Sequence, residues 1–210
     1  RIMKDFEIIE GRRSINFFEP GMKIPEETLI KLVDLANLTP SSLNLQPWEL
    51  IVVQSEKNKK ILRKCAFGQP KVEDASAVFI VVANPNAPEE NIGRVLDNWV
   101  DLGNMTRDQV ETTKQMCFNL YTTDPKSETR KIFAVKNASF FAMSIMLAAR
   151  FLGLETHPMD GFNAEEIKKN FSIPGDRLIP VVISVGYLKK DVKLNPRAFR
   201  RSVNEFCIFV

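Results

Sequence analysis

Residues 77–83, AVFIVVA, decide the fold of this chain of 210 residues. All seven side chains are apolar and four are β-branched, a composition that favours a strand covered on both faces. Similar patterns occur in residues 49–54 (ELIVVQ) and 180–188 (PVVISVGYL), and residues 203–210 are also strand-like. Three or four such strands with helices between them predict a single sheet that is covered by helices on both sides.

The segments around these strands have helical patterns. We expect helices over residues 25 to about 40, 56–66, 91–105, 106–121 and 128–151, and a short helix after Asn163. The central segment 91–151 has no strand pattern, so strands and helices do not alternate regularly. The predicted fold class is therefore α+β with three layers. No repeat or linker divides the sequence, which predicts one domain over residues 1–210.

Composition excludes several classes of function. The 29 basic and 26 acidic residues give a net charge of +3 and are dispersed, so we expect no nucleic-acid partner. The three cysteines form no C-x-x-C pair and there is a single histidine, which predicts no metal site. The N-terminus has no apolar signal-peptide core, and residues 138–154 are too short an apolar run for a membrane span. We therefore expect a cytoplasmic protein without a membrane partner.

Familiar catalytic and nucleotide motifs are missing. None of the nine glycines forms a G-x-G pair, so there is neither a dinucleotide fingerprint nor a P-loop. No serine lies in a G-x-S-x-G elbow that could serve the single histidine. These absences argue against hydrolysis and against a dedicated NAD(P)H-binding fold.

Three segments carry polar or charged groups that packing does not explain: Arg12-Arg13-Ser14, residues 40–48 (PSSLNLQPW) and residues 157–162 (HPMDGF). Singly, each is typical of a solvated face or a turn. Together with residues 68–76, 179–187 and 200–206, and in this order, they resemble the nitroreductase family of FMN-dependent enzymes. The resemblance covers nearly the whole chain, and residues 40–48 are its most specific part. It implies a mixed, mainly antiparallel central sheet and a homodimer.

The resemblance implies a set of cofactor-binding residues. A flavin phosphate needs cations with fork geometry, and by similarity Arg12 and Arg200 bind it. The neighbouring Arg13, Ser14, Asn16 and Arg201 belong to the same site. The flavin ring is expected to contact Gln69 and Lys71 of the same chain and a loop of the partner subunit that contains Pro40, Ser41, Ser42 and Asn44.

The resemblance also implies how catalysis works. Pro158, Met159, Asp160 and Gly161 match the turn whose backbone N–H groups point at flavin N5, so that Asp160 and Gly161 position the atom that accepts hydride. Lys71 is expected to stabilise the negative charge that develops near flavin N1. Many relatives carry a basic residue at the positions of Asn16 and Ala198, so this chain has less positive charge at the flavin site.

The expected function is an FMN oxidoreductase that passes electrons from NAD(P)H to a nitroaromatic, a quinone or a similar flat acceptor by a ping-pong mechanism. Residues 97–125 are expected to form a lid, and residues 195–210 an extension that reaches the partner subunit. The same scaffold also serves dehalogenation, flavin breakdown and dehydrogenation, which fold-level similarity does not distinguish. A flavin-binding module with little turnover, or a protein without flavin, are the alternatives.

Overall fold

The computed structural model describes residues 6–210 and contains a four-stranded sheet. Its strands are β1 (Trp48–Val53), β2 (Ala77–Ala83), β3 (Glu155–Met159) and β4 (Leu178–Gly186). Their spatial order is β1-β2-β4-β3, and all three pairings are antiparallel. Every residue of β2 is buried, so the strand predicted to be central lies inside the sheet.

Strand β3 is a correction to the sequence analysis, which assigned residues 157–162 to a turn. The chain is extended from Glu155 to Met159, and His157 pairs with Ser184 of β4. The turn begins only at Asp160. This strand was missed because its five residues, ETHPM, include one proline and only one strongly apolar side chain. Proline is tolerated here because β3 is an edge strand of the sheet.

Eight helices surround the sheet among residues 6–210. They are α1 (Phe6–Gly11), α2 (Glu26–Ala36), α3 (Glu56–Cys65), α4 (Pro70–Asp74), α5 (Ala87–Asp101), α6 (Val110–Tyr121), α7 (Glu128–Phe151) and α8 (Ala164–Phe171). One hydrophobic core joins α2, α5, α6 and α7 to one sheet face, and a second core joins α3, α4 and α8 to the other. The three-layer α+β prediction is confirmed.

Helix α7 is the main helix of the first core. It begins after Ser127, whose hydroxyl accepts a hydrogen bond from the Arg130 N–H, and it ends before Gly153, which has a positive φ. By length and composition this helix of 24 residues could cross a membrane, and half of its most apolar stretch of 18 residues is buried within the protein. The apolar residues extend further toward the N-terminus than the 138–154 run of the sequence analysis, because Ile132 and Phe133 precede it.

The region between α5 and α7 follows its sequence signals closely. Helix α5 begins at Ala87, four residues earlier than predicted, because Pro88 is acceptable in a first helical turn. The sequence Thr106-x-x-Gln109 is typical of a capping box, and the two residues bond reciprocally around a short 3₁₀ turn that leads into α6.

The strand expected over residues 203–210 is absent from the described chain. Val203–Glu205 form a single 3₁₀ turn, and the residues after it have no strand partner. Large apolar side chains remain exposed there: Phe206, Ile208 and Phe209. A β-pattern makes a strand only where a second strand supplies hydrogen bonds, and within the described residues none does so for this segment.

Candidate functional site

The first site segment, residues 12–16, lies beside strand β3. Ser14 forms an isolated parallel bridge with Thr156, and the Ile15 N–H donates to the Thr156 carbonyl at 3.1 Å. Ile15 is buried in the second core, while Ser14 and Asn16 are exposed. Because side chains alternate along this short extended segment, the apolar Ile15 points into the core and the polar Ser14 and Asn16 point to solvent.

A cluster of arginines forms next to this segment, where residues 10–13 meet residues 195–200. Arg13 Nη2 donates to the Asn195 carbonyl at 2.8 Å, and the Arg197 guanidinium donates to the Glu10 carbonyl. Partial burial lowers the pKa of Arg12, and so do the nearby charges of Arg197 and Arg200. The Arg12 guanidinium donates no hydrogen bond among the described residues. The cluster therefore holds positive charge and unused donors, which suits a phosphate.

The carboxylate that faces this cluster is Glu155. It forms an ion pair with Arg150, and its side chain is only 14% exposed. Burial raises the pKa of Glu155, whereas the nearby Arg150 and Arg12 lower it and offset part of that effect. Since Glu155 is already paired with Arg150, it neutralises only in part the four guanidinium groups of the Arg12 cluster, which are those of Arg12, Arg13, Arg197 and Arg200.

The structure divides the predicted phosphate residues. Arg200 Nη1 donates to the carbonyls of Ala198 at 3.3 Å and Phe199 at 2.9 Å, so its guanidinium folds back on its own segment while staying near Arg12. Arg201 instead lies over the Phe206 ring at 5.2 Å. Arg197 was missing from the predicted set. Its signal in the sequence was the local excess of arginine at 197, 200 and 201.

Gln69 and Gly161 meet at the turn after β3. Gln69 Nε2 donates to the Gly161 carbonyl at 2.8 Å, and a Cβ on Gly161 would lie only 3.1 Å from that nitrogen. Phe162 N–H donates to the Asp160 carbonyl at 2.9 Å and closes the turn. The Gly161 N–H has no hydrogen-bond partner within residues 6–210. The turn thus presents a free, exposed N–H donor beside Gln69.

Lys71 is held by two side chains. Its Nζ lies 3.0 Å from Asn16 Oδ1 and 3.0 Å from His157 Nε2. His157 Nδ1 lies 2.8 Å from the Ile15 carbonyl. Burial lowers the pKa of Lys71, and burial together with the Lys71 charge lowers the pKa of His157. Sequence reasoning gave His157 no role beyond its place in the turn motif, because its contact with Lys71 depends on β3.

The loop of residues 40–46 lies on the other side of the sheet. Three of its residues, Leu43, Asn44 and Gln46, have a positive φ, and the Gln46 N–H donates to Ser41 Oγ at 2.9 Å. Hydrogen bonds fix the loop to the helices of the first core, through Asn137 of α7 and Tyr121 of α6. Pro40 and Asn44 are exposed.

The predicted site residues therefore fall into two groups within one chain. Arg12, Lys71 and Gly161 belong to a group around residues 12–16, β3 and α4, whereas Ser42 belongs to a group held by α6 and α7. The described residues contain no hydrogen bond between the two groups. The first group combines a cluster of arginines, an oriented ammonium and a free N–H donor, which suits a flat ligand that carries a phosphate and gains electrons.

Comparison with known protein families and structures identifies the relatives of this chain. The model of the nitroreductase family matches residues 9–187. YdgI of Bacillus subtilis, provisionally named an NAD(P)H nitroreductase, is 31% identical over 182 residues, which is 86% of each chain.

Two solved structures are similar over nearly their full length. The ydfN structure from Bacillus subtilis is 30% identical with a TM-score of 0.91 and covers 98% of each chain. A structure from Exiguobacterium sibiricum, solved in complex with FMN, is 28% identical with a TM-score of 0.87, and the match covers 99% of this chain and 98% of that one. The match of the family model to most of the chain, together with these relatives, shows that the chain belongs to the nitroreductase family.

Proposed function

We propose that this protein is an NAD(P)H-dependent oxidoreductase that holds FMN between the Arg12 cluster and the turn at Gly161. The observation that carries the proposal is the cluster itself: hydrogen bonds hold Arg13 and Arg197 beside Arg12, whose own guanidinium donates none among the described residues. Such a cluster is favourable only if an anion offsets the repulsion. The family and the FMN complex of a relative identify a flavin phosphate as the best candidate.

The residues present fit this cofactor despite two missing cations. Asn16 and Ala198 stand where many relatives have basic residues, but Arg13 and Arg197 bring other guanidinium groups to the Arg12 segment. Ser14 is exposed beside them and supplies a hydroxyl donor. Arg12, Arg13, Arg197 and Arg200 would hold the phosphate, with Ser14.

Catalysis at this site depends on positioned donors. When bound, FMN would supply two-electron redox chemistry between NAD(P)H and a second, flat acceptor such as a quinone or a nitroaromatic. Lys71 would place its ammonium where negative charge develops on the ring. Gly161 would offer its free N–H to orient the hydride-accepting edge, with Asp160 shaping the turn. The lack of a separate nucleotide motif favours one pocket that donor and acceptor occupy in turn, hence a ping-pong mechanism.

We further propose that the working unit is a homodimer with shared flavin sites. The loop with Pro40, Ser41, Ser42 and Asn44 lies on the opposite side of the sheet from Lys71, so a second subunit is needed to bring such a loop to the flavin. Apolar side chains exposed on α7 support a partner on that face: Ile132, Phe140, Met143 and Phe151. Residues 195–210 would reach the partner, and residues 97–125 would form the lid over its flavin.

The test is a comparison of FMN binding and turnover in two variants. Arg12→Gln removes a cation with unused donors, whereas the control Lys169→Gln removes an exposed cation of α8, outside the predicted site and the proposed lid. A charge-assisted hydrogen bond contributes about 1.5–3 kcal/mol, so Arg12→Gln should weaken FMN binding roughly 10-fold to 150-fold in a fluorescence-quenching titration.

The natural protein should also oxidise NAD(P)H when a quinone is present. Unchanged FMN affinity in Arg12→Gln, or a protein that takes up no FMN, would contradict the proposal. Bound flavin that NAD(P)H does not reduce would support the alternative of a flavin-binding module.

A further inference from the structure

The single histidine of the chain is anchored where it can orient a charge. His157 lies on β3, paired with Ser184 of β4, and its Nδ1 lies 2.8 Å from the Ile15 carbonyl. Its other ring nitrogen, Nε2, faces Lys71 Nζ at 3.0 Å. The ring therefore joins a rigid sheet to the end of a flexible lysine side chain.

The hydrogen bonds define where the protons lie. A backbone carbonyl only accepts, so His157 Nδ1 must carry a proton and donate it to Ile15. Lys71 Nζ can then donate to the lone pair of a neutral His157 at Nε2 and to Asn16 Oδ1 at 3.0 Å. A second proton on the ring would place two cations 3.0 Å apart. The pair thus carries one positive charge, and that charge lies on Lys71.

The neighbouring charges support this distribution. Lys71 on α4 is the charge that acts on the ring, and with burial it lowers the pKa of His157, opposed by the hydrogen bond to the Ile15 carbonyl. Glu155 points to the same side of β3, but it is paired with Arg150 and lies near Arg12 and Arg13. The carboxylate on this strand is therefore engaged elsewhere and does not favour a charged ring.

We propose that His157 is a positioning residue for Lys71. Together with Asn16 it occupies two of the three ammonium N–H bonds and leaves the third for the ligand. This inference rests on the proposed function, because the ligand of that third bond would be the pyrimidine edge of FMN. It also gives Asn16 a role: the neutral amide that replaces a basic residue in this chain accepts from Lys71, where a cation would repel it.

The first experiment measures the pair itself by nuclear magnetic resonance of protein labelled with ¹⁵N-histidine. One histidine gives one set of ring signals. We expect the Nδ1–H tautomer and a pKa below the ordinary 6.5. Lys71→Gln should raise that pKa, because the neighbouring cation is gone, and Lys169→Gln, an exposed lysine of α8, should leave it unchanged. An Nε2–H tautomer, or a pKa that does not respond to Lys71→Gln, would overturn the proposal.

The second experiment measures the flavin in the FMN-loaded protein. His157→Phe keeps a ring but removes both nitrogens, and His157→Gln keeps an acceptor for Lys71. We expect His157→Phe to weaken reduced FMN about tenfold more than oxidised FMN, which lowers the midpoint potential by about 30 mV for a two-electron couple. His157→Gln should bring the midpoint potential most of the way back to that of the natural protein.

A double variant separates positioning from a structural role. If His157 acts through Lys71, adding His157→Phe to Lys71→Gln should lower the potential no further. Additive shifts, or an unchanged potential in His157→Phe, would refute the inference while the FMN function stands. If the natural protein binds no FMN at all, the proposed function and this inference both fail. Should His157→Phe not fold, the titration of His157 in Lys71→Gln still decides.

Discussion

Replacing Glu89 with glutamine tests how a fully buried cation is maintained in the first core. Arg130 has no exposed surface, and its five N–H bonds make contacts of 2.5–3.1 Å with Glu89 and with the carbonyls of Pro85, Tyr121 and Thr122. These partners belong to the start of α5 and to the connection between α6 and α7. The ion pair therefore fixes the base of the region proposed as a lid.

The magnitude follows from the burial of the two partners. Breaking a buried ion pair by removing one charge costs about 3–5 kcal/mol, because the remaining charge is left without compensation. Glu89 is 39% exposed, so water can reach the vacated position, and the three carbonyls still accept from Arg130. We therefore expect Glu89→Gln to lower the free energy of unfolding by about 3 kcal/mol, the low end of that range.

The matched control lies on α7, the helix that carries Arg130. Glu128 and Lys131 form an ion pair of 2.7 Å with side chains 79% and 42% exposed, and such pairs contribute about 0.2–1 kcal/mol. Urea unfolding followed by tryptophan fluorescence, at one protein concentration, compares Glu89→Gln with Glu128→Gln. If the two variants differ by less than about 1 kcal/mol, the buried Arg130 does not depend on Glu89 and the reasoning is wrong.

Two further predictions concern the proposed flavin contacts. Tyr121→Phe removes the hydroxyl that forms a hydrogen bond with Ser42 Oγ. Since a hydrogen bond contributes about 1 kcal/mol net, FMN affinity should fall roughly fivefold, while the control Tyr187→Phe should leave it unchanged. Equal FMN affinity in both variants would show that Ser42 does not contact the flavin. Gly161→Ala places a Cβ 3.1 Å from Gln69 Nε2, whereas Gly175→Ala meets nothing within 4 Å. Only Gly161→Ala should slow flavin reduction in stopped-flow measurements, and similar rates in both variants would argue against a close approach at that turn.

Much of the fold was predictable because its signals are local. The apolar run of β2, the capping box at Thr106 and the glycine after α7 each act within a few residues. Residues 203–210 show the limit of this reasoning. Their β-pattern is real, but a strand needs a partner, and the sequence does not say whether one lies in the same chain.

The candidate site shows the same limit at the level of side chains. Lys71 and Arg12 were predicted as site residues through motifs that resemble the family, and their chemistry is evident from residue type. The contact between Lys71 and His157 was not, because it joins positions 86 residues apart through a strand that the sequence analysis took for a turn. Arg197 was missed for a related reason, since its approach to Arg12 depends on how the C-terminal segment crosses the N-terminal one.

The register of β3 constrains how this protein can vary. Glu155, His157 and Met159 point to one side of the sheet because strand side chains alternate, and Met159 packs in the second core. One residue inserted between Gly153 and Glu155 would shift the phase of the alternation, so that Thr156 and Pro158 replaced them on that side. Length changes in homologous chains should therefore be tolerated in the connection around Gly103 and be rare in this stretch of a few residues.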